Sequence, residues 1–176
     1  MYRLPAGCEE PALQIFLDYW ESRRRDGRLP ARCDIDPLEL PKALLPQILL
    51  FEVIRTPERL RFRFRLAGTA FSRLVGRDVT GLIFDEMGPP ERTAPVSEAL
   101  TAVVESGRPA YLAGRLTLRS DSFEHVRRLG LPLASDGKTV DMILSMWLAQ
   151  SRPIGDYSTP SRAEAMVGKV QLLEGD

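Results

Sequence analysis

Leu60-Arg-Phe-Arg-Phe-Arg-Leu-Ala-Gly-Thr-Ala-Phe-Ser-Arg-Leu-Val-Gly-Arg-Asp-Val-Thr-Gly81 is the stretch from which the fold is read. Leu60, Phe62, Phe64 and Leu66 alternate with Arg61, Arg63 and Arg65, the period of two expected of a half-buried strand. After Ala67-Gly68-Thr69 the period changes, and Phe71, Leu74 and Val75 mark a short apolar turn of helix. Gly76 and Gly81 close that helix and the loop behind it.

The pattern extends in both directions from this stretch. Upstream, Ile48–Thr56 is a second strand, joined to the first through Pro57-Glu58, a hairpin-length connection. Downstream, Phe84–Met87 suggests another short helical piece. Val96, Ala99, Leu100 and Val103 then repeat at helical spacing, with Thr93 expected as N-cap, Pro95 in the first turn and Gly107 at the C-cap. Three further strands are expected at Ala110–Arg119, Phe123–Leu133 and Thr139–Leu148. Asp136-Gly137 supplies the turn between the last two.

Two extensions flank this core, so the chain divides into 1–46, 47–149 and 150–176. In the first, Leu13, Phe16, Leu17 and Trp20 form an amphipathic helix stripe that ends near Asp26-Gly27. Pro30, Pro37, Pro41 and Pro46 make the following linker extended and turned, with one helical turn expected after Asp36-Pro37. In the last segment, Ser161 and Glu164 have capping-box spacing ahead of Met166, Val170 and Leu173, which predicts a tail helix.

Composition bounds the possible roles. The chain has 176 residues, enough for one domain with extensions. Its 24 basic and 24 acidic side chains cancel, which gives no drive toward nucleic acid or an anionic membrane. The longest apolar run, 43–51, is broken by Pro46 and Gln47 and is far too short to span a bilayer. Residues 1–10 lack a signal-peptide apolar core, and Cys8 and Cys33 have no partner at metal-ligand spacing. A reduced, cytoplasmic setting is expected.

Four segments carry a family resemblance: Trp20 with Gly27-Arg-Leu-Pro-Ala-Arg32 and Asp34-Ile-Asp-Pro37, then Phe64-Arg-Leu-Ala-Gly-Thr69, Gly76-Arg-Asp-Val-Thr-Gly81 and Leu131-Pro-Leu-Ala-Ser-Asp-Gly137. In this order they resemble the PAS sensory fold, and more narrowly the fifth PAS subfamily of small bacterial proteins, over about residues 12–150. The resemblance implies an α+β fold, a five-stranded antiparallel sheet with helices on one face; the residue patterns add the N-terminal amphipathic helix and the tail helix, and the tail after Gln150 lies outside the resemblance. It also implies a sensing or signalling role without catalytic chemistry.

The residues themselves offer little chemistry. His125 is the only histidine, with no second axial ligand for haem, and no cysteine lies where a flavin adduct would form. No haem, flavin, metal or other cofactor is therefore expected. Asp34 and Asp36 suit turns and caps before Pro37 better than a metal. There is no nucleophile elbow or phosphate-binding glycine loop. An enzyme would have to use His125, Asp141 or Glu86 as acid or base, so no catalytic residue is assigned.

Arg59, Arg61, Arg63 and Arg65 share one strand face, with Arg115 and Arg119 as candidate neighbours. They read either as an anion- or partner-docking stripe or as charge protecting a sheet edge; the PAS strand order places this strand at an edge. The space between sheet and helices is the candidate ligand site. Its expected lining is Phe62, Phe64, Leu66, Phe71, Leu74, Phe84, Val96, Leu100, Val103, Leu112, Leu116, Met142, Leu144 and Met146. The space is either filled by these side chains or open to a small apolar or amphipathic ligand. The final strand is apolar on both faces. Ile143 and Trp147 are expected to meet Leu13, Phe16, Leu17 and Trp20 of the first helix, from the same chain or from a second copy in a homodimer. The expected partners are thus a second copy, a signalling protein or a small ligand, with neither nucleic acid nor membrane.

Overall fold

The computed structural model describes residues 1–117, 123–150 and 169–175. Helix α1 spans Pro11–Ser22. Three short 3-10 turns, Arg32–Asp34, Pro37–Glu39 and Lys42–Gln47, carry the proline-rich linker to the sheet. Strands β1 (Ile48–Arg55) and β2 (Leu60–Ala67) form a hairpin, followed by α2 (Thr69–Val75) and a 3-10 turn at Phe84–Glu86. Helix α3 (Pro90–Ser106) leads into β3 (Ala110–Thr117), β4 (Phe123–Leu133) and β5 (Met142–Gln150), and β6 (Lys169–Leu172) ends the order. The strands form one antiparallel sheet in the order β2-β1-β5-β4-β3-β6.

The sheet is covered on both faces, and the alternation of its strands explains why. In β4, Leu129, Leu131 and Leu133 face α1, while Val126 and Gly130 face the α2–α3 side. In β1, Ile48 and Leu50 join the α1 side, and Leu49, Phe51 and Val53 the other. Leu13, Phe16, Leu17 and Trp20 of α1 are wholly buried against the first set. Each such side chain contributes roughly 1.5–3 kcal/mol of transfer free energy, which fixes α1 on the sheet far better than its helix propensity could. Trp20 also donates its buried Nε1–H to the Pro132 carbonyl of β4 at 2.9 Å. Tyr19 Oη accepts from Asp36 N at 2.7 Å and donates to Asp36 O at 2.8 Å, tying the linker to the same helix.

Three expectations change. The sheet has six strands rather than five, because residues 169–172 pair with β3 along its outer edge. Val170 therefore lies in a strand and Leu173 follows it, which removes the end of the expected tail helix; Ser161, Glu164 and Met166 lie outside the described residues. Thr93 is not a cap: α3 already begins at Pro90, and Thr93 is buried inside it. Proline at the first helical position needs no N–H donor, so Pro90 starts the helix a turn earlier than the threonine signal suggests. The turn after Asp36-Pro37 forms as expected, with Asp36 Oδ1 accepting from Leu38 N at 2.9 Å.

Candidate functional site

Between the sheet and α2–α3, an aromatic cluster fills one end of the interior. Phe51 and Phe64 have ring centroids 4.8 Å apart, Phe64 and Phe71 5.6 Å, Phe51 and Phe84 5.9 Å. Phe71 meets Trp147 edge-on at 5.6 Å. Of the expected lining, Phe62, Phe64, Phe71, Phe84, Leu100 and Val103 belong to this core, with Leu74 and Val96 packed on it half-buried. At the other end, under α3, a cavity of about 20 Å³ remains between Val96, Leu100, Leu112, Arg128, Gly130 and Ser145, among others. That space is enough for about one water-sized group.

The remaining expected residues fall elsewhere. Met142, Leu144 and Met146 face α1, whereas Ile143 and Trp147 face the interior beside Phe51 and Phe71, the reverse of the expected assignment. Register decides it: Phe51 pairs with Ile143 and Leu49 with Ser145, so the odd-numbered residues of β5 share the α3 side. Leu66 is 43% exposed. The β1–β2 register shifts between Leu50 and Phe51, so Phe64 lies opposite Phe51 while Leu66 lies opposite Leu50. One extra residue in a strand inverts the side-chain alternation beyond it. Leu116 lies on β3, with its side chain outside the described set. The cover for the outer face comes from the same chain, with α1 packed on Leu129, Leu131, Leu133, Leu144 and Met146.

Sequence reasoning missed Arg128. Its signal was the adjacent pair Arg127-Arg128 in a strand covered on both faces, where neighbours must point to opposite sides. Arg127 ion-pairs with Glu10. Arg128 points under α3, and loss of hydration there pulls its guanidinium pKa down to about 10. It remains a cation at neutral pH.

A family model for the PAS domain matches residues 8–148. The chain belongs to the PAS domain family. No curated protein matches it. Within the PAS core, the segments that carried the resemblance meet in space. Leu29 N donates to Gly137 O at 3.0 Å and Ala134 N to Pro30 O at 2.9 Å, so the linker motif docks on the β4–β5 turn. Gly81 N donates to Phe64 O at 2.7 Å, and Phe64 N to Leu82 O at 3.0 Å, joining the loop after α2 to the outer edge of β2. Gly76 ends α2 in the left-handed region, where a side chain would be strained. Gly68 is needed for a different reason: a Cβ there would lie 2.3 Å from the Pro46 carbonyl oxygen.

The arginine stripe lies on the PAS edge strand β2, and part of it is engaged in ion pairs. Arg61 reaches Asp85 at 2.9 Å and Glu86 at 2.6 Å, Arg59 reaches Asp85 at 2.7 Å, and Arg63 approaches Glu52 at 3.3 Å. The Arg61 guanidinium holds the Asp85 carboxyl below the usual carboxylate range. These contacts clamp the Phe84–Glu86 turn along the edge and shield it from pairing with another chain. Asp34 and Asp36 act as backbone acceptors, Asp34 Oδ2 for Ala31 N at 2.8 Å. Among the described residues no three His, Cys, Asp or Glu side chains gather around a metal position, and no helix is long and apolar enough to cross a membrane. His125 and Asp141 lie at opposite ends of β4, because Asp141 N bonds to Leu133 O. Eight residue steps along the strand separate His125 from Leu133, about 26 Å at 3.3 Å per residue.

Proposed function

We propose that this PAS protein is a non-enzymatic regulatory module that binds a small ligand between sheet and α3 and transmits its occupancy to α1. The observation that carries this reading is the double duty of β4. Arg128 and Gly130 line the interior cavity, while Leu129, Leu131 and the Pro132 carbonyl hold α1 on the other face. A shift of this strand on one side changes the packing of the helix on the other, since close-packed layers pass on small displacements. The two free cysteines, Cys8 and Cys33, suit a reduced cytoplasmic setting.

Native mass spectrometry of freshly purified protein tests the proposal. A small molecule retained at stoichiometric level supports it. A second reading, a ligand-free PAS scaffold that dimerises or docks onto a signalling protein, draws on the small volume of the cavity, about 20 Å³. A clean apo dimer would favour that scaffold and count against a ligand.

A further inference from the structure

A half-buried arginine lines the cavity under α3, and no ion pair or hydrogen bond accounts for it among the described residues. Arg128 leaves β4 between its register partners, Leu112 on β3 and Trp147 on β5, and points into the cavity under α3. Among the described residues no carboxylate or carbonyl accepts from its guanidinium. The acidic side chains of α3 (Glu91, Glu98 and Glu105) are all solvent-exposed. On the neighbouring strand, the Trp147 Nε1–H is buried without an acceptor, whereas Arg128 itself is half-buried. Two adjacent strands thus bring donors, with no protein acceptor bonded to them among the described residues, to a face otherwise lined by Leu100, Leu112, Val103 and Ser145. A guanidinium partly stripped of water and without a protein acceptor gains from an anion placed beside it, and an apolar side chain of similar length would leave no such charge to match.

We propose that Arg128 binds the carboxylate of a small amphipathic acid whose head enters the cavity beneath α3. This deepens the reading of the interior as a ligand site and rests on it. The cavity of about 20 Å³ holds one water-sized group, so the carboxylate head enters only as α3 shifts outward. The apolar tail then lies along Val96 and Leu112, where Pro95 deprives α3 of one backbone hydrogen bond and eases its displacement. Guanidinium and carboxylate are geometrically matched, and the pair gains strength in a poorly hydrated site.

Isothermal titration of the full chain with octanoate, and with octanol as the uncharged control, tests this. The wild type binds octanoate at least tenfold more tightly than octanol. Arg128→Met loses that preference while melting at a higher temperature than the ligand-free wild type, and Arg128→Lys retains part of it. Equal binding of octanoate and octanol, no binding of octanoate, or unchanged octanoate affinity in Arg128→Met would each overturn the assignment. A neutral molecule retained in native mass spectrometry would overturn the carboxylate but leave the regulatory reading in place.

Discussion

Gly68 shows how one residue sets the path of the chain. Its N–H donates to Ile48 O at 2.8 Å, and a Cβ at this position would come within 2.3 Å of Pro46 O, so no side chain fits. Gly68→Ala is expected to lower stability by roughly 1–3 kcal/mol, read as a fall in Tm, through forced backbone movement. Gly88→Ala, where a Cβ meets nothing within 4 Å, is the matched control and should shift stability by no more than about 0.5 kcal/mol. Asp85 offers a test of charge. Its folded-state pKa is lowered, first by hydrogen bonding to Arg61, so its contribution is present above the unfolded value near 4 and is lost as pH falls through the lower folded value. Asp85→Asn should therefore melt below the wild type at pH 7, with the gap narrowing as pH falls below about 4. A gap that stayed constant with pH would contradict this.

At the scale of elements, the strands and helices were largely legible because their periods were clean. Phe62 and Phe64 pointed inward as their alternation requires, and the stripe of Leu13, Phe16, Leu17 and Trp20 became the buried face of α1. The faces of β5 were not legible. Apolar residues occupy both alternating sets there, and only pairing with β1 decides between them. The bulge that turns Leu66 outward left no mark in the hydrophobic pattern, and β6 was hidden because four residues suffice for an edge strand. That strand is held by more than its ladder: Leu173 N donates to Pro109 O at 2.8 Å, and Arg108 gives two bonds to Leu173 O, at 3.0 and 2.6 Å. Ending the chain at residue 168 should expose the edge of β3 and lower Tm. It should also produce concentration-dependent association in sedimentation velocity, since an uncovered edge recruits another strand.

At the scale of the molecule, the sheet is a partition between two cores. One side holds α1 through Trp20 and a leucine-rich face; the other holds α2, α3, the phenylalanine cluster and Arg128, which has no partner among the described residues. A PAS core arranged this way can link an event beneath α3 to a helix on the opposite face, with β4 as the shared wall. The most direct test is hydrogen exchange, followed by mass spectrometry, of the wild-type chain with and without saturating octanoate. Altered protection in residues 11–22 of α1, together with α3, is the expected outcome. Unchanged exchange in α1, whether or not α3 responds, would contradict it.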